Sequence, residues 1–449
     1  MLKALDTVYN EKSYQLIGEE LKKARERKMR KLFSKTRKSI YFIGMALGLT
    51  IGSNSVNAGE ILIGIPAAQS GPVGVADHQD FTNGALMAVE EINAAGGVNG
   101  HTLTTKIIDL NMLTPEGNVA GILNLVEAGV HAITSAFTII PQPAMDAAAP
   151  SGIPYVHGNT SSVNVELYQG DPEKYKNIIQ LDVAEVWYGT GFVRFLTDLK
   201  ASGQWKPKNN KVHIVQGQIS YTQNISKATQ AKIAESNGEW EVGAITDIQF
   251  PVQDWAPVIR ALQQTDAAAI MIDHWIAAEL AAFAQQYAYD PVPGALVYLQ
   301  YGPSQPEFLD LAAGAGEGMV WGTVYGVYAD EKGSEFRAKY RAKYPGTMGM
   351  VYTGGGYDSI YLLAEAWKQT GDHTNFDAVG EAIRSSNFRG VNGTYKFRSE
   401  TNSGTSYPNM TEDPEGGQAH LFFQVQDDEH RIIAPSPFAE VPFRLAPWM

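Results

Sequence analysis

From residue 61 onward, short apolar runs alternate with longer segments of helical period, and this alternation restricts the fold more than any other feature of the chain. The pattern predicts strands at Ile61–Ile65, Lys106–Leu110, His131–Ser135 and Ile153–Val156, with helices over Thr82–Ala94 and Asn118–Ala128 between the first three. It then starts again. Strands are expected at Lys211–Val215, Ala244–Ile248, Ala268–Ile272 and Leu296–Leu299, with helices over Ile225–Ser236, Trp255–Gln264 and Trp275–Tyr287. A third block predicts a strand at Met319–Val324, helices over Glu335–Tyr344 and Tyr357–Lys368, and a closing hairpin of His420–Val425 with Arg431–Ile433. Alternation of this kind builds βαβ units and parallel sheets covered on both faces. Two successive sets are too many for one sheet of ordinary width, so the expected class is α/β with two Rossmann-like lobes.

The first 58 residues read as an address. A basic block, Arg30, Lys31, Lys35, Arg37 and Lys38, precedes an apolar stretch from Ile40 to Ile51. Val56 and Ala58 then supply the small residues of a cleavage site. These are the three parts of a secretory signal, and the apolar run is short for a membrane span, which needs about 20 residues. An uncleaved anchor is the alternative. Met29 offers a second start, which would leave residues 1–28 outside the natural protein. Export as a soluble protein into the periplasm is the expectation. This segment carries 12 Lys+Arg against 5 Asp+Glu, which leaves 23 basic and 43 acidic residues, a net of −20, in the remainder. Such a body repels phosphate backbones, which argues against a nucleic-acid partner.

The chain carries none of the common motifs of reactive chemistry. The chain has no cysteine, which removes disulfides, thiolate metal sites and a lipid anchor on that residue. It has no phosphate-binding P-loop, no nucleophile elbow and no zinc-protease helix motif, and its nine histidines are scattered. No metal, cofactor or catalytic step is expected. What remains is a binding shape, because ligands of open α/β sheets sit at the carboxyl ends of the strands. Those ends carry Gln69, Ser70 and Asp77, then Ser135, Phe137 and Thr138, then His157, Asn159, Thr160 and Ser161. The second set offers Glu185, Trp187 and Tyr188, then Gln218, Ser220 and Tyr221, then Asp273, His274 and Trp275, then Tyr301. Taken singly, such Ser, Thr and Asn residues are as often caps and turns as ligand contacts.

Several segments are similar to one known family. They include Ser70-Gly71-Pro72, Asn83-Gly84-Ala85, Val89-Glu90-Glu91-Ile92-Asn93 and Ala95-Gly96-Gly97-Val98-Asn99-Gly100 near the start. Further on come Gln142-Pro143-Ala144, Gly152-Ile153-Pro154, Phe250–Leu262 and Tyr357–Ala366. Together they resemble the type I periplasmic binding proteins, in the leucine/isoleucine/valine-binding branch. The resemblance implies two lobes joined by three crossings: residues 59–181 with 302–390, and residues 182–301 with 391–449. It implies a small-molecule ligand held between lobes that close over it. It also implies delivery to ABC permease subunits powered by two cytoplasmic ATPases, with the binding protein a monomer.

The carry-over of site residues from this family is mixed. The loop that holds a ligand carboxylate falls on Phe137 and Thr138, and a second loop falls on Asn159, Thr160 and Ser161. In the other lobe a tyrosine position falls on Tyr221 and an aromatic position on Trp275, with Asp273 and His274 where glycines are usual. Trp187 completes the candidate set. The family's ammonium-pairing glutamate falls on Ala278, which cannot pair, so Asp273, Glu185 or Asp77 substitutes or the ligand is no α-amino acid. An amino acid or derivative is the first reading of the ligand, an amide, urea-like or amine compound the second, and an aromatic compound the third. A sensory module of the same fold is the rival to transport.

Overall fold

The computed structural model describes residues 59–346 and 348–449. The expected leader, residues 1–58, lies outside the described residues. Five parallel strands open the first lobe: β1 (Glu60–Ala67), β2 (Thr102–Asp109), β3 (Ala132–Ser135), β4 (Tyr155–His157) and β5 (Ile178–Gln180), in the spatial order β2-β1-β3-β4-β5. The second lobe repeats the plan with β6 (Lys211–Gly217), β7 (Glu241–Ile248), β8 (Ala269–Asp273), β9 (Leu296–Leu299) and β10 (Val320–Thr323), in the order β7-β6-β8-β9-β10. The inner strands are buried along their whole length, as expected of parallel sheets with helices on both faces. Each sheet reverses its winding beside its first strand, between β1 and β3 and between β6 and β8. Such a switch point opens a crevice at the carboxyl ends of the strands.

The remaining strands complete both sheets and correct the expected lobe boundaries. β11 (Asn387–Gly390), β12 (Gly393–Arg398) and β13 (Ser403–Gly404) extend the first sheet beyond β5. A two-stranded ribbon follows, β14 (Ser406–Tyr407) with β15 (Gln418–Ala419). The hairpin of β16 (Leu421–Gln426) and β17 (Glu429–Ala434) then closes the second sheet beside β10. So β10, expected in the first lobe, belongs to the second, and β12 and β13, expected in the second, belong to the first. The second crossing lies after Thr323 and the third after Gly404. Backbone pairing decides membership here: Val320 and Trp321 register with Tyr298 and Leu299, and Ser403 registers with Gln180.

Of the helices that start earlier than their apolar period indicates, two pack against each other. The helix Val75–Ala94 begins seven residues before Thr82, because Asp77, His78 and Asp80 are buried polar residues that break the apolar stripe. The helix Tyr352–Thr370 begins five residues before Tyr357, across Gly354, Gly355 and Gly356. A glycine run disfavours helix by itself. Here it lets the two helices touch backbone to backbone. A Cβ on Gly84 would lie 1.9 Å from the Thr353 carbonyl oxygen, and one on Gly356 would lie 1.9 Å from that of Phe81. Gly84→Ala and Gly356→Ala should each therefore lower stability by about 1–3 kcal/mol or more in urea unfolding, as overpacked sites do. Gly170→Ala, where a Cβ meets nothing within 4 Å, should leave it unchanged.

Candidate functional site

The strand-end loops of the two lobes meet around a cavity of about 370 Å³. Phe137, Thr138, Asn159, Thr160 and Ser161 line it from the first lobe, and Tyr221 and Trp275 from the second. Seven of the ten sequence candidates are thus brought together. Glu185, Tyr188, Gln218, Ser220 and Tyr301 also line it, all noted in the sequence as strand-end groups. Tyr352, Ile139, Pro141, Val163 and Ile219 had no sequence signal. Tyr352 was hidden because it precedes the glycine run, in what reads as a loop.

The first-lobe wall is set by hydrogen bonds within that lobe. The Thr138 N–H donates to Asn159 Oδ1 (2.6 Å), and Asn159 Nδ2 donates to Asn164 Oδ1 (2.6 Å). Thr160 adopts a left-handed φ of 45°, unusual for a β-branched residue. Asp182 holds it there, accepting from both its N–H (3.2 Å) and its hydroxyl. The Ser161 N–H donates to Gln180 Oε1 (3.2 Å). In the second lobe Gln300 Nε2 donates to Tyr221 Oη (3.0 Å), which leaves the phenol proton free to point elsewhere.

Three candidates lie outside the cavity lining. Trp187 is one step along its helix from Tyr188, so it is turned by about 100° away from the space that Tyr188 lines. Asp273 is fully buried behind the second-lobe wall, on the face of β8 that also carries Met271. Burial first, and the charge of Glu185 second, hold its carboxyl well above the usual carboxylate range. His274 points to the opposite face, where its Nε2 meets Glu279 Oε2 at 2.9 Å and its ring packs edge-on against Trp255. Ala278 is exposed on its helix, and Glu279 also accepts from the Val252 N–H (2.7 Å), so neither addresses the cavity. Of the three carboxylates named as substitutes, Glu185 alone lines it.

Glu185 joins the lobes. It stands at the N-terminus of the helix Val186–Ala201, where a negative charge is favoured, and is 2% exposed. It accepts from the N–H and hydroxyl of Ser162 in the first lobe and from Asn224 Nδ2 (2.9 Å) in the second. Asn224 also donates to the Ser162 hydroxyl (3.3 Å). Across the same cleft the rings of Phe137 and Trp275 meet edge to face, 6.5 Å between centres.

A family model described as periplasmic binding protein matches residues 60–416. The chain belongs to the periplasmic binding protein family. A leucine-, isoleucine-, valine-, threonine- and alanine-binding protein of Pseudomonas aeruginosa is 24% identical over 365 residues, 80% of this chain and 91% of that protein. The solved structure of a protein assigned to branched-chain amino acid ABC transport in Silicibacter pomeroyi matches with a TM-score of 0.81. The two are 32% identical over 87% of this chain and 100% of that one. A solute-binding protein of R. palustris, solved in complex with benzoate, has the same fold, with a TM-score of 0.65 and 15% identity over 87% of this chain and 99% of that one.

In this periplasmic binding protein the cavity loops and crossings rest on buried carboxyls. Asp182 grips Thr160 from the first crossing. Asp77, in the first lobe, accepts from Tyr301 Oη (3.0 Å) and Gln305 Nε2 (2.6 Å), which follow β9 in the second. Burial pushes the carboxyls of Asp182 and Asp77 up to about 7, against the opposing pull of those hydrogen bonds. The folded protein therefore holds protons that the unfolded chain releases near pH 4. Their stabilisation is complete below that pH and is lost as pH rises through about 7. Among the described residues no helix is long and apolar enough to cross a membrane. Asp182→Asn should flatten the fall in melting temperature between about pH 4 and about pH 8, measured by calorimetry against the wild type. An unchanged slope would remove Asp182 from that linkage.

Proposed function

We propose that this substrate-binding protein of an ABC import system captures a small amino-bearing solute, an amino acid or a derivative of one, in the periplasm. Its loaded form then docks on permease subunits driven by cytoplasmic ATPases. One observation carries the ligand class. The space enclosed by both lobes has Glu185 as the single charged group among its lining residues. A buried carboxylate favours a partner that brings N–H donors and positive charge. The carboxylate has room for one, because an ionised carboxylate offers about four acceptor positions and three are in use.

The mechanism is conformational and needs no covalent step. A solute that touches Thr138 and Ser161 on one wall and Tyr221 and Trp275 on the other gains contacts only when the lobes are together. It favours the closed arrangement by that difference in contacts. The Pseudomonas aeruginosa relative, named for binding five neutral amino acids, supports the amino-acid reading. The aromatic lining favours a second reading, an amide, urea-like or planar aromatic compound, and the fold holds benzoate in the R. palustris protein.

Calorimetry of the purified protein against neutral amino acids, their amides, ureas and aromatic acids tests this. A solute present at about 100 times its dissociation constant should stabilise the fold by about 2.7 kcal/mol. Tyr221→Ala and Trp275→Ala should each weaken its binding by about 1 kcal/mol. Absence of any response across the panel would remove the solute-binding reading, and unchanged affinity in both variants would move the site elsewhere.

A further inference from the structure

We infer that the solute is an alkylated or quaternary ammonium cation without a carboxylate, held by cation–π contact in a cage of rings and by Glu185. This rests on the solute-binding reading above, keeps its amino-bearing solute and replaces the amino acid with a cation that lacks the carboxylate. Two independent sets of observations lead here.

The first is the ring arrangement. Trp275, Phe137, Tyr352 and Tyr301 form a continuous wall, with neighbouring ring centres 6.5, 5.5 and 6.4 Å apart. Tyr188 and Tyr221 also line the space. The cavity is thus lined by six aromatic residues and one carboxyl group, that of Glu185. Its lining residues include no Lys, Arg or His. Weakly hydrated organic cations are recognised by this combination, because a ring face attracts positive charge and the site asks for few hydrogen bonds in return.

The second is the state of the loops on which a ligand carboxylate would rest. The three backbone N–H groups at Thr138, Thr160 and Ser161 are already donated to Asn159, Asp182 and Gln180. A carboxylate placed there would have to break those bonds or rely on neutral hydroxyls. It would also lie in a cavity with no cation to balance it. An α-amino acid zwitterion meets a good partner at its ammonium end and a poor one at its carboxylate end. A cation without the carboxylate meets only the good one. An alkylated nitrogen also loses little by shedding water, and its methyl groups suit the aromatic walls.

Titration calorimetry with choline, its uncharged carbon isostere and leucine tests the assignment. Choline should bind about tenfold or more tightly than the isostere, and more tightly than leucine. Glu185→Gln and Trp275→Leu should each narrow the preference for choline over the isostere. Trp275→Leu serves as the second variant because Glu185 also anchors Ser162 and Asn224. If leucine binds while choline does no better than its isostere, the cation assignment is overturned and the solute-binding reading stands. If none of the three probes binds and no amino acid, amide, urea or aromatic acid does, both fall together.

Discussion

A loop at the mouth of a buried cavity must satisfy its backbone N–H groups whether or not a ligand is present. In this protein side chains of the first lobe and its first crossing do so, with Asn159 accepting from Thr138, Asp182 from Thr160 and Gln180 from Ser161. The first-lobe wall is therefore rigid before any solute arrives. A preformed wall lowers the ordering cost of binding. It also narrows what the wall can offer, because donors committed inward are not available to a guest. Rigidity and selectivity follow from the same few hydrogen bonds.

The groups that connect the lobes are of a different kind. Asp77 ties the first-lobe helix to Tyr301 and Gln305, and Tyr301 itself lines the cavity. Glu185 ties Ser162 to Asn224 across the cleft. Each is a carboxyl group that receives neutral donors from the lobe opposite its own. Such bonds exchange readily with water when the cleft opens, and each net contribution is modest, about 0.5–3 kcal/mol. Two arrangements separated by a few such bonds can be biased by one small solute.

How much of this could be read from the chain depends on which physical signal carries it. The alternation of strands and helices was legible because parallel strands are near-continuous apolar runs, as at Ala269–Asp273 and Leu296–Leu299. Strand-end loops were legible as the place for a site. Sheet membership was not. The pairing of β13 with β5 joins Ser403 to Gln180, and no local pattern announces a partner more than two hundred residues away. The choice between Tyr188 and Trp187 needed the helix phase at its first turn, where the boundary is least certain from sequence. Tyr352 was masked by glycines that exist for helix contact, a requirement set by Gly84 and Phe81 in a distant segment. His274 and Asp273 were adjacent in sequence and so were considered together, yet a strand sends neighbours to opposite faces.

Asp273 and Glu185 are two acidic groups of one lobe that stand near one cavity in different surroundings. Among the described residues neither Asp273 carboxyl oxygen has a hydrogen-bond partner, and with no exposure burial favours its neutral form. Glu185 is nearly as buried but receives three donors and sits at a helix N-terminus. The carboxyl group that lines the cavity is therefore the one that backbone and side-chain donors support. When a cleft between two lobes closes, water leaves it and the field of any charge inside strengthens. A solute carrying positive charge gains from closure in proportion, and a neutral one of equal shape gains only contact. Selectivity of this kind arises at the closing step, after the rigid first-lobe wall has already accepted the shape.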